Sequence, residues 1–175
     1  QRLDGRDKIN ILIQEIGRLS ALALTAKGSN PELAAKLKAL GDGMSRCRMA
    51  DRFLKASVPL HAFIAVAGSS DVAMVKVPRM LITLGYVAFF YYDNKIFLGL
   101  LGVLKGLDYA DLGKKANRLW FFCLFLTIFV QIMKLRKDQQ AEKPNDDVAQ
   151  LALYANCCDI LVAANGSGYL GGDEK

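Results

Sequence analysis

Between Asp4 and Ala26 the apolar residues Ile9, Leu12, Ile13, Ile16, Leu19 and Ala23 recur at three- and four-residue intervals. One apolar stripe of that period predicts an amphipathic helix. Gly28-Ser29-Asn30-Pro31 closes it, with Asn30 in the place of an N-cap and Pro31 at the first position of the next helix. That second helix is predicted over about 31–57. Leu33, Leu37, Leu40, Met44 and Cys47 line a narrow apolar stripe, and Lys36, Lys38, Arg46, Arg48, Arg52 and Lys55 surround it. Gly41 and Gly43 weaken it by about 1 kcal/mol each relative to Ala and suggest a kink there.

The pattern then changes from stripes to runs. Val58–Ala67 is apolar but too short to cross a bilayer. Leu81–Leu104 is apolar except for Asp93-Asn94-Lys95. Its thirteen Leu, Ile, Val and Phe residues favour insertion by about 4–8 kcal/mol, and Asp93 and Lys95 each oppose it by about 3 kcal/mol. The near-cancellation predicts two short helices hinged at Asp93–Lys95, or a polar site held inside protein. Leu119–Met133 carries no such interruption. Leu119, Trp120, Phe121, Phe122, Leu124, Phe125, Leu126, Ile128, Phe129 and Val130 make it apolar all round, between Lys114, Lys115, Arg118 and Lys134, Arg136, Lys137. About 23–26 Å of helix results, at the lower limit for a span. Equal basic flanks leave its orientation unread. Gln139–Asp147 reads as a polar linker, and Val148–Ala164 as a last apolar helix. The expected fold is all-α: a helical, membrane-associated bundle with amphipathic helices and at least one transmembrane or deeply embedded helix. It divides into 1–57 (basic, amphipathic), 58–137 (apolar) and 138–175 (acidic linker, apolar helix, Gly-rich loop).

Composition agrees with the pattern. In 175 residues, 53% are hydrophobic, and the net charge is +6. Residues 1–57 hold eleven basic against six acidic side chains, 114–137 six against none, and 138–175 two against seven. Most aromatics lie in Leu81–Leu104 and Leu119–Met133, away from the basic runs, which favours an anionic membrane surface over nucleic acid as the partner. An ordinary bundle helix with a solvated basic face fits 31–57 as well. The chain starts at Gln1 and stops at Asp173-Glu174-Lys175, and we expect it to be trimmed at one or both ends.

Candidate chemistry is sparse. His61 is the single histidine, so no His-based metal site or catalytic pair is available within one chain. It reads as a packed or interfacial side chain. Cys47, Cys123, Cys157 and Cys158 have no metal-ligand spacing and do not form a disulfide framework. Gly166-Ser167-Gly168-Tyr169-Leu170-Gly171 matches G-x-G-x-x-G. Without a preceding strand it reads as a flexible loop and not a dinucleotide site. No enzyme, cofactor, metal or small-molecule substrate is expected.

Asp4-Gly5-Arg6-Asp7-Lys8-Ile9 resembles the start of the peroxisomal biogenesis factor 11 (peroxin-11) family. The basic second helix with Arg46-Cys47-Arg48 and Arg52-Phe53, and Lys114–Trp120 leading into an aromatic membrane segment, are similar to that family in the same order over roughly 3–165. Asn156–Asp159 and the glycine-rich end resemble divergent, glycosomal members. The resemblance implies a non-enzymatic peroxisomal membrane protein that elongates and remodels the organelle membrane before fission. By position, its membrane-bending amphipathic helix falls on Leu33–Lys55. The implied partners are anionic lipid, further copies of the chain, the fission machinery and the receptor that imports peroxisomal membrane proteins, with the basic helices facing the cytosol. Members carry a second hydrophobic segment near the C-terminus, which this chain, stopping at Lys175, leaves in doubt. A pore or metabolite channel, lined in an oligomer by Asp93, Asn94, Lys95 and Gln131, is the alternative activity.

Overall fold

The computed structural model describes residues 2–141 and 147–170, with side chains described from residue 7 onward. Among the described residues there are six helices and no strand: α1 (Arg2–Ala26), α2 (Pro31–Arg52), α3 (Ser57–Ala67), α4 (Ala73–Leu100), α5 (Tyr109–Gln140) and α6 (Asp147–Gly166). They form two compact units, Gln1–Phe53 and Leu54–Lys175. The all-helical expectation holds, and four helices (α1, α4, α5 and α6) are long and apolar enough to cross a membrane.

The first unit is an α-hairpin. Gly28 turns the chain with φ +62°, and Asn30 follows in the left-handed region, which Asn tolerates because its side chain bonds locally. The Asn30 carboxamide oxygen accepts the Leu33 N–H at 3.0 Å, and Pro31 occupies the first turn of α2. The predicted cap is therefore in place. The predicted end is not: α2 stops at Arg52, five residues short of 57, and Lys55 lies beyond the helix. A helix continued through this point would carry Pro59 in its interior, without its N–H and in collision with the Lys55 carbonyl. Leu54 at φ +62° makes the break instead, and Pro59 falls in the first turn of α3, where proline is tolerated.

In the second unit α3 packs on α4, α4 on α5, and α5 on α6. The expected hinge at Asp93–Lys95 is corrected: α4 is one helix of 28 residues running through all three. Two contacts make the interruption unnecessary. Asp93 is buried, only 5% exposed, and the Lys95 ammonium stands over the Tyr91 ring, 5.2 Å from its centroid. The helix ends further on, at Leu100, with Leu101 as its cap ahead of Gly102 at φ +77°. The Gly-rich turn after α6 is packed at its start. Ser167 is fully buried, and the Asn117 side chain donates to the Gly166 carbonyl at 3.2 Å. Of the Gln139–Asp147 linker, 142–146 lie outside the described residues, as does Gly171.

Candidate membrane-contacting surfaces

The seam of the α-hairpin is made of polar and small side chains. From α1 it takes Asp7, Asn10, Gln14, Gly17 and Ala21, and from α2 Ala34, Gly41 and Arg48. Arg48 is its centre. Its Nε donates to the Asp7 carboxylate at 3.0 Å and its Nη1 to the Gln14 carboxamide oxygen at 3.2 Å. Asn10 donates to Asp51 at 3.3 Å. The Arg48–Asp7 pair is about four-fifths buried, with side chains 20% and 23% exposed, so it is screened less than a surface pair. Between these bonds the backbones approach closely. A Cβ on Gly17 would lie 3.0 Å from the Leu37 carbonyl oxygen, and one on Gly41 2.9 Å from the Arg18 side chain and 3.1 Å from the Gln14 carbonyl oxygen. Gly41 is therefore a crossing point, and α2 runs through it with no break.

The aliphatic stripes are left outside this seam. Ile9, Leu12, Ile16 and Leu19 are 56–64% exposed, and Leu33 and Leu40 are 43–44% exposed. Leu37 and Met44 are half-buried and Cys47 is exposed. At 100° per residue, Ile9, Ile13 and Ile16 of α1 and Leu33, Leu40 and Met44 of α2 turn to the same side of the seam. The Arg18–Asp42 ion pair, 3.2 Å long, closes the opposite side.

The basic residues of α2 separate into groups. Arg48 is held in the seam, and Arg52 is half-buried. Lys36, Lys38 and Arg46 are exposed, Lys36 in an i,i+4 pair with Glu32 at 2.6 Å. The sequence reading missed Asp7, Asn10, Gln14 and Gly17 as hairpin-forming residues, although their own three-and-four spacing was a readable signal.

In the second unit α5 lies between α4 and α6. Gly85 packs on Cys123 so closely that a Cβ there would collide with the sulfur, and Gly99 packs on Tyr109. The Cys123 thiol donates to the Ile82 carbonyl at 3.6 Å. The Asn156 side chain donates to Gln131 at 2.9 Å, and Asn117 reaches Gly166. These contacts fix the register: residues 75–89 of α4 and 152–166 of α6 stand level with 119–133 of α5. Leu124 and Cys123 are buried in this layer, while Phe122, Phe125, Phe129 and Ile132 point outward at 38–57% exposure. Leu119, Trp120, Phe121, Leu126, Ile128 and Val130 are half-buried. One end of the layer is rimmed by aromatic and basic groups. Tyr169 meets Phe121 edge to face at 5.4 Å, and the Arg118 guanidinium covers Tyr169 at 5.9 Å. Such a rim is the composition of a membrane–water boundary.

The same register separates the residues of the alternative pore. Asp93 stands level with Lys115, at the rim, and Asn94 and Lys95 lie beyond it on the side away from 119–133. Gln131 is about 24 Å away along the helices by rise per residue and is bonded to Asn156. His61 is exposed on α3, its Nδ1 2.8 Å from the Ser57 carbonyl oxygen. Cys157 and Cys158 are exposed on α6.

Against known proteins, the family model described as peroxisomal biogenesis factor 11 (PEX11) matches residues 1–175. No curated protein and no solved structure matches the chain.

Proposed function

The chain belongs to the peroxisomal biogenesis factor 11 family, and from that premise we propose that it elongates and remodels the peroxisomal membrane through its α1–α2 hairpin. Family membership makes it a peroxisomal biogenesis factor of a membrane-associated family, and the four helices long and apolar enough to span fit that setting. One observation carries the finer reading: the hairpin holds itself together with polar and small residues and leaves its aliphatic side chains outside. A two-helix unit closed on its apolar residues would have nothing to insert. This one offers Ile9, Ile13, Ile16, Leu33, Leu40 and Met44 as a single face, with Lys36 and Arg46 exposed elsewhere on α2. Laid in the boundary between headgroups and acyl chains, such a face displaces lipid in one leaflet, and attraction of the basic residues of α2 to anionic headgroups strengthens it. The α4–α5–α6 layer is the anchor. Anionic lipid and further copies of the chain are the partners of this mechanism. The fission machinery and the import receptor follow from the family's role, with the hairpin on the cytosolic side.

Liposomes of anionic lipid test this with the full chain reconstituted. The wild type is expected to draw the vesicles into tubules visible by electron microscopy, and a variant with Ile16→Asp and Leu40→Asp to leave them spherical while still inserted. Tubules formed equally by the variant would defeat the reading.

A further inference from the structure

A cleft opens on the side of the hairpin opposite the aliphatic face, near the α1–α2 turn. It encloses about 830 Å³, within the range of small-molecule sites. Its origin is local. Ala21, Thr25, Gly28 and Ser29 of α1 and the turn stand opposite Pro31, Ala34 and Ala35 of α2, where larger side chains would fill the space. Ala21 and Ala34 form a buried apolar floor, each 7% exposed, and Leu22 and Leu24 supply a wall. Charge is confined to one end: Arg18, Lys38 and Asp42. Arg18 and Asp42 neutralise each other, and exposed Lys38, which forms no ion pair among the described residues, lines that end. The other end carries only the hydroxyls of Thr25 and Ser29. From Arg18 to Gly28 the cleft runs about 15 Å by helical rise.

An elongated ligand with an apolar body and a single anionic head matches this arrangement of floor and charge. We infer that the cleft binds an anionic amphiphile, a medium-length acyl or alkyl chain with a phosphate or carboxylate head. The head is held by Lys38 and the chain lies on Ala21, Leu24 and Ala34. Because the cleft opens away from the aliphatic face, its ligand arrives from water and not from the bilayer on which the hairpin lies. That direction rests on the membrane reading of the aliphatic face, whereas the cleft and its chemistry do not.

Calorimetric titration of the full chain in zwitterionic nanodiscs, with empty nanodiscs as the baseline, reads the site directly. Octyl phosphate below its micelle concentration is the probe, with inorganic phosphate and octanol as separate arms. The expected result is saturable 1:1 binding of octyl phosphate, at least tenfold tighter than either half alone. Ala35→Trp, which fills the cleft from an exposed position, is expected to weaken it more than tenfold, and Lys38→Gln about fivefold, with helical content unchanged by circular dichroism. Heat equal to that of empty discs, full-strength binding by Ala35→Trp, or inorganic phosphate binding as tightly as octyl phosphate would overturn the proposal. The two readings fail separately. Ala35→Trp is expected to tubulate anionic liposomes like the wild type, and the Ile16→Asp, Leu40→Asp variant to bind octyl phosphate like the wild type while tubulating nothing.

Discussion

The two units solve the packing of apolar helices in different ways. In the hairpin, charge and carboxamide bonds hold the interior, and Ile9, Ile13, Ile16, Leu33, Leu40 and Met44 stand on one outer side. In the α4–α5–α6 layer α5 is apolar all round over 119–133, and its contacts include a glycine of α4 against its cysteine and a carboxamide pair with α6. The first arrangement gives a one-sided surface suited to an interface, with water above and acyl chains below. The second gives an apolar surface along 119–133 of α5, as a span requires. Neither unit has the closed apolar core of a water-soluble bundle, and the difference lies in whether the polar groups ring the apolar part or back it.

The sharpest way to break the hairpin half of this comparison is to charge its outer side. Ile16→Asp together with Leu40→Asp is expected to lower flotation of the hairpin region with anionic vesicles by two orders of magnitude or more, at low and high salt alike. Replacing Lys36, Lys38 and Arg46 with Gln is expected to cost less, up to roughly 3 kcal/mol at about 1 kcal/mol per basic residue. That loss fades as salt screens the attraction. Arg48→Gln is expected to act differently from these three, because Arg48 is spent on Asp7 and Gln14. It should loosen the hairpin, with a coupling to Asp7→Asn of about 1–2 kcal/mol in a double-mutant cycle followed by denaturation, and leave the salt dependence of vesicle binding almost unchanged.

The layer half is tested by its closest contact. Gly85→Ala puts a carbon against the Cys123 sulfur, and overpacking of this kind costs about 1–3 kcal/mol. A lower midpoint of thermal aggregation in detergent is expected, restored in part by Cys123→Ala. Gln131→Leu, which deprives Asn156 of its acceptor, is expected to have the smallest effect, about 0.6 kcal/mol, as for other hydrogen bonds between membrane helices.

Local signals made much of this architecture readable. The Asn30-Pro31 start of α2, the two amphipathic stripes and the run Leu119–Met133 all depend on neighbours within a turn or two, and each stands where the pattern put it. Periodicity identifies an apolar stripe but does not say what covers it. The seam was in view as Asp7, Asn10, Gln14 and Gly17, yet polar residues at helical spacing suggest a solvated face until their partners on α2 are known. Depth was not readable for a related reason. Asp93 lies in the middle of an apolar run along the chain, and its position at the rim follows only from the register of α4 on α5. Gly85 and Cys123, 38 positions apart, set that register. Where α2 ends was likewise decided downstream, by Pro59.

The central claim is that the aliphatic side of the hairpin meets acyl chains while the Arg18–Asp42 side stays in water. Depth-dependent quenching by brominated lipids measures this directly, because Trp120 is the single tryptophan and can be replaced by Phe. A tryptophan is then placed at Leu40 in one variant and at Ala35 in another, each in the full chain on anionic vesicles. Strong quenching at position 40 by lipids brominated along the acyl chain, with position 35 quenched only by aqueous iodide, is the predicted result. Equal quenching of both positions from either phase, or deeper burial of position 35, would contradict the account.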